Sequence, residues 1–395
     1  MERVDVLVVG GGPAGAATAI RLARAGRSVV VVERSPAWRW RACGVFTSPA
    51  AVTVLRRLGL DDATVDRVAL RVPAMRVETP AGTTFRLTYG DDGSLGAAPV
   101  GLDRSALDPL LLELARSAGA DVRLGASART IEGRHVRLED GEIEARVVVG
   151  ADGLRSVVAR AGGVVARPPL GERSALTFHV EDTGDGEPRD ARMIVFRGGY
   201  VGLAPVPGRR VNVGIVLASR AWRDRLRADG AEATARAVLA GIPPASDDPV
   251  EWPRARVTDR IEGVAPVGAR VTRRAGAGWL LVGDAAGFID PFTGEGLHRA
   301  LVSADLAGRA VDRHLDGDVA ALRGYERALT HRTRGKDVVS LVVQAFLSVP
   351  PAFDYAARRL SGRPAVRETM GLVMGDLIPA SRAIDPRFLA ALLRP

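Results

Sequence analysis

The chain has 395 residues, 47% of them hydrophobic, which is enough for two or three domains around a large buried core. Its net charge of +9 comes almost wholly from scattered arginines, with no aromatic-interleaved basic patch, so a nucleic-acid-binding role is set aside. A lone cysteine, Cys43, excludes an internal disulfide, and five dispersed histidines show no metal-ligand spacing, so no metal is expected.

The first strand pattern, Val4–Val9, begins almost at Met1, so no leader peptide is expected. It runs into Gly10-Gly11-Gly12-Pro13-Ala14-Gly15, then an Ala-rich helix to about Ala25, then a second apolar strand, Ser28–Val32, ending at Glu33. That order is a βαβ unit on a parallel sheet. Within it, Gly10, Gly12 and Gly15 form G-x-G-x-x-G between a strand and a helix. The spacing permits a tight turn, close backbone approach to a pyrophosphate and close helix–strand packing, with phosphates at the helix N-terminus. Glu33 is placed to accept hydrogen bonds from a ribose hydroxyl pair.

Ser48-Pro49 opens another helix, with Ser as N-cap and Pro at the first position. Val68–Leu87 alternates apolar and polar residues, as half-exposed antiparallel strands do. Asp103 caps a helix to about Ser117. Short strands follow near Val122–Leu124, Ala126–Ile131, Val136–Leu138 and Ile143–Val149, and Ala175–Leu217 again alternates. Trp279–Val282 is an apolar strand leading into Gly283-Asp284-Ala285-Ala286-Gly287, with Pro291 and Gly294-Glu295-Gly296 at a helix start. An Asp at a strand end can hold a ribityl chain. A Gly-rich helix start can face a flavin pyrimidine and stabilise negative charge on the reduced ring. From Gly294 onward the pattern is helical.

These motifs, in this order from residue 1 to about 315, resemble the flavoprotein superfamily of single-component aromatic hydroxylases (p-hydroxybenzoate hydroxylase-like) and geranylgeranyl reductases. The stretch from Val149 to Ser156 resembles its Asp-Gly motif, with Asp152 bridging backbone and cofactor-side groups. Arg104 sits where the superfamily has a basic or amide residue near the FAD phosphates, and Ala128 at the position whose backbone contacts adenine. Arg41-Ala42-Cys43-Gly44 resembles the Cys-Gly segment that reaches the flavin in the reductase branch. Gly199–Pro205 with Val211–Gly214 resembles that branch's substrate-sheet motif, although its aromatic positions are Gly202 and Ala204 here. The resemblance thus implies an FAD site of Gly10, Gly12, Pro13, Ala14, Gly15, Glu33, Arg34, Arg41, Cys43, Gly44, Arg104, Ala128, Asp152, Gly283, Asp284, Pro291, Gly294, Gly296 and Leu297.

The fold class expected is α/β, a Rossmann-like FAD-binding domain with an inserted antiparallel-sheet substrate domain and a helical C-terminal tail. The flavin domain would be discontinuous, from segments 1–67, 99–165 and 257–335. The substrate sheet would take 68–98 and 166–256, and the helical region 336–395.

Cys43 and Tyr200 are the candidate catalytic residues, with His179 and Arg192 on the same presumed sheet as groups that could orient or deprotonate a phenol. The resemblance implies a monooxygenase: NADPH or NADH reduces FAD, and O2 yields a C4a-hydroperoxide that hydroxylates an aromatic or polyketide-like molecule. The alternative is a reductase that saturates C=C bonds of a prenyl or lipid substrate. A halogenase is set aside, because that family uses a lysine between flavin and substrate, and the only lysine, Lys336, lies beyond all the flavin motifs in sequence. The longest apolar run, Val338–Leu347, is too short to span a bilayer. A cytoplasmic enzyme is expected, with peripheral membrane contact or homodimer formation as uses for the apolar tail.

Overall fold

The computed structural model describes residues 1–90 and 98–394; residues 91–97 of the expected 68–98 segment, and Pro395, lie outside the described residues. Glu2–Val9 and Val29–Glu33 are parallel strands, and Pro13–Arg24 is the helix that crosses between them. On its other side Glu2–Val9 pairs in parallel with Glu142–Gly150, which in turn pairs with Trp279–Leu281. Strands buried on both faces read as continuous apolar runs, which is why this sheet is legible in the sequence. The register aligns Val9 with Val32 and with Gly150, and Gly150 with Leu281. Four strands therefore end at one level, and the loops that follow them open on one crevice, the place where such sheets bind ligands.

A second sheet has seven strands among the described residues. Its centre is the antiparallel set Ser174–Glu181, Arg210–Leu217, Gly199–Val206 and Ala191–Phe196. The expectation of half-exposed antiparallel strands needs two corrections here. Met75–Glu78 runs parallel to Ala191–Phe196, so the sheet is mixed. Both faces are also covered. Phe178, Val213 and Ile215 pack against Val238 and Leu239 of helix Arg220–Ala240, while Met193, Tyr200 and Val216 pack against Phe353, Ala357 and Val373 near the C-terminus. The run that begins at Val68 is also divided. Asp62–Val68 is a helix, and Ala69–Arg71 pairs with Val100–Leu102 in a separate small sheet.

The smaller elements follow the sequence with local exceptions. Asp103 caps helix Arg104–Ser117, accepting from the Ser105 N–H. Ser48 stands at the N-cap of Pro49–Leu58 but makes no capping bond, and its buried Oγ has no partner. The strand expected at Ala126–Ile131 shrinks to Thr130–Glu132, because Gly125 and Ala126 donate to the Ser35 and Glu33 carbonyls instead. Helix Gly296–Leu315 is followed by Ala321–Ser348, which bends by 116° into Pro350–Gly362. No single helix among the described residues is long and apolar enough to cross a membrane.

Candidate cofactor site

The first loop is shaped by the absence of side chains. Gly10 has φ +107°, and a Cβ there would lie 2.5 Å from the Ala151 carbonyl oxygen. A Cβ on Gly15 would lie 2.0 Å from the Gly10 oxygen, so the helix can pack against the turn only with glycine. Gly12, the N-cap of Pro13–Arg24, has no side-chain cap, and a Cβ there meets no protein atom within 4 Å. Pro13 at the first helical position costs no hydrogen bond, and Ala14 is buried behind it.

Glu33 does more in the structure than the ribose contact expected of it. Its carboxylate accepts from the Gly11 N–H at 2.9 Å, the Ser35 N–H at 3.0 Å and Arg41 at 3.0 Å. Burial opposes its charge, but the Gly11 N–H and the Arg41 guanidinium outweigh burial and hold the carboxyl below its usual range. Glu33 thus fixes the glycine loop and carries the Arg41–Gly44 segment to the crevice.

That segment places Cys43 in the field of Arg104, Asp108 and Asp284. Arg104 is buried, forks onto Asp108 at 2.7 and 2.9 Å, and donates to the Gly44 carbonyl at 2.8 Å. The Cys43 side chain is half-exposed, yet enough protein surrounds it that burial pushes its thiol up to about 11, against the pull of Arg104. Asp284 is pushed above its ordinary value by burial, opposed by Arg299 and Arg104, and no hydrogen bond to its carboxylate occurs among the described residues. Asp152 is also raised by burial; one oxygen accepts from the Val157 N–H, and the other is buried without a partner.

The second glycine loop is pinned by side chains from far away in sequence. Asp290 Oδ1 accepts from the Tyr200 hydroxyl at 2.5 Å, from Gln344 at 2.7 Å and from the Phe292 N–H at 3.0 Å, while Oδ2 lies 2.8 Å from Arg173. Arg173 also donates to Gln344 at 2.6 Å, and the Tyr200 ring meets Phe292 edge-on at 5.0 Å. Burial, then the Asp290 charge, raises the Tyr200 hydroxyl well above its usual value. Gly294 turns the chain with φ +67°, Pro291 starts the short turn before it, and Gly296 and the buried Leu297 open the long helix. Gly283, at φ +59°, lets this loop approach Ala14 of the first one.

Several expected residues fall elsewhere. Arg192 points to the other face of the sheet from Tyr200 and is consumed by Glu78 and Asp248, so it cannot serve a substrate on the Tyr200 face. His179 does share that face; its Nδ1 lies 2.6 Å from Asp259, with Trp40 packed on its ring. Arg34 is exposed, and Ala128 lies in irregular backbone just ahead of Thr130–Glu132. Lys336, distant in sequence, reaches Glu295 of the second loop at 3.0 Å. Sequence reasoning missed Asp290, Arg173 and Gln344. For Gln344 the available signal was the helical spacing of Lys336, Ser340 and Gln344, which puts three polar side chains on one face, and that face is buried.

The residues present fit a flavin dinucleotide. Gly12 leaves room for a phosphate at a helix start, and Asp152 and Asp284 keep carboxylate oxygens that no donor uses among the described residues. A sheet with a parallel centre and three motif loops at one edge, alongside a second sheet, defines an FAD-dependent oxidoreductase. The chain belongs to the FAD binding domain family, which matches residues 3–333. It is 30% identical to the menaquinone reductase of Mycolicibacterium smegmatis, over 95% of this chain and 92% of that one. It is 33% identical to digeranylgeranylglycerophospholipid reductase 1 of Methanopyrus kandleri, over 82% and 84%. Among solved structures, Pseudomonas aeruginosa PqsL, classed as a probable FAD-dependent monooxygenase, aligns with TM-score 0.73 and 25% identity over 89% of this chain and 99% of its own.

Proposed function

We propose that the protein is an FAD-dependent reductase that saturates C=C bonds in the prenyl chain of a membrane-borne lipid, using NADPH or NADH. The observation that carries the reading is Cys43, a thiol that burial keeps protonated against the pull of Arg104, within the Arg41–Gly44 segment that Glu33 anchors through Arg41. When bound, FAD supplies a hydride to one alkene carbon. Cys43 supplies the proton to the other carbon and regains one from solvent, so each double bond gains two hydrogens and one NAD(P)H is oxidised. Arg104 and Asp108 hold the thiol's surroundings, and a hydrocarbon chain would enter the apolar layer between the sheet and the C-terminal helices, where Tyr200 and Met193 meet Phe353. The two reductases named above act on lipids with prenyl chains, which supports the same choice.

The second reading is the monooxygenase, favoured by the likeness to PqsL and by one feature of the sheet. Gly202 and Gly214 face each other directly on the Tyr200 side, so this strip of the sheet carries no side chain of its own, with the Met193 methyl 3.3 Å from where a Gly202 Cβ would lie. The deciding experiment is anaerobic turnover with NADPH and a prenylquinone carried in lipid vesicles. Product still heavier by two hydrogens after any quinol has been reoxidised in air supports the reductase. Turnover only with O2, giving product heavier by one oxygen, abandons it for the monooxygenase.

A further inference from the structure

Of 55 basic residues, Lys336 alone is lysine, in a chain that uses arginine wherever a cation is wanted. It is buried, and its three donors meet three acceptors: Glu295 Oε1 at 3.0 Å, Asp376 Oδ1 at 3.2 Å and the Met374 carbonyl at 3.4 Å. A compact ammonium can satisfy three converging acceptors that a planar guanidinium cannot. Asp376 is balanced on its other side by His298, whose Nδ1 lies 2.8 Å away.

Glu295 occupies the N-cap of helix Gly296–Leu315 but makes no capping bond. A bare carboxylate there would cancel the helix's positive end, the feature that favours negative charge on whatever the helix faces. We propose that Lys336 is a positioning residue for the flavin: by neutralising Glu295 it preserves that positive end and raises the reduction potential of bound FAD. The proposal rests on the reading that the Gly294–Gly296 turn faces the flavin ring. Through it, the last 60 residues of the chain act on the redox centre: Lys336 from one helix and Asp376 from the turn after another close over Glu295 and His298.

The test is an anaerobic potential titration of the FAD-loaded protein, followed by flavin absorbance against a reference dye. Lys336→Met is expected to shift the equilibrium about tenfold toward oxidised flavin, about 30 mV for a two-electron couple. Glu295→Gln is expected to shift it the opposite way, and Lys336→Arg, if the variant retains FAD, to stay closer to wild type than Lys336→Met. Should Lys336→Met fail to fold, the direction of the Glu295→Gln shift decides. Variants that hold FAD at the wild-type potential overturn the role of Lys336 alone. A wild-type protein that takes up no FAD overturns the flavin reading beneath it.

Discussion

The two glycine loops that meet at the crevice are held by different means. The loop at Gly10–Gly15 is fixed mainly by its own strand, its own helix and Glu33, which accepts the Gly11 N–H, with Ala151 packed against Gly10 from the neighbouring strand end. The loop at Gly283–Gly296 is held by Tyr200, Arg173, Lys336 and Gln344, each from 40 to more than 100 residues away. A loop shaped by missing side chains tolerates only glycine, whereas a loop pinned by buried polar contacts is as rigid as its partners are complete. The second loop is therefore the one coupled directly to the substrate-side sheet and the C-terminal helices.

The comparison is most exposed to failure at Asp290. Asp290→Ala leaves Arg173 buried without its carboxylate and should cost about 3–5 kcal/mol, the range for breaking a buried pair. Thermal melting would read this, and a loss no larger than that of a surface substitution would mean the loop is held by something else. In the first loop, Gly15→Ala drives a Cβ against the Gly10 carbonyl and should cost about 3 kcal/mol, at the top of the overpacking range. Gly12→Ala meets no protein atom, so it should leave the melting temperature unchanged while weakening FAD retention, read as flavin absorbance per protein. Equal melting shifts for these two variants would contradict the proposed role of the turn.

The smallest effect concerns pH. Burial works against ionisation of Asp376, but the His298 ring and the Lys336 ammonium outweigh it and bring the carboxyl down to about 2. A folded value below the unfolded one adds stability above the unfolded value, and that stability is lost as pH falls from about 4 to 2. The contribution is about 2 kcal/mol. Denaturant midpoints of wild type and Asp376→Asn should therefore converge over that window. A constant gap down to pH 2 would show that the cluster holds no ionised Asp376.

Much of this was legible in the chain itself. The parallel strands appear as unbroken apolar runs because both of their faces are buried, and the glycine motifs are visible because their backbone geometry is a local requirement. The faces of the second sheet were not legible. Period-two alternation places Arg192 and Met193 on opposite sides, but with both sides covered, hydrophobicity could not say which one looks toward the crevice. Nor could spacing show that Lys336 reaches Glu295, since helical periodicity says only that a side chain points inward. By itself the sequence determined that the chain carries an FAD-binding fold and where its glycine turns fall, because a glycine-rich turn between a strand and a helix is written in consecutive residues. The tertiary structure alone decided which distant charges close around that crevice, because an ion pair between residues 41 positions apart exists only once the helices between them have packed.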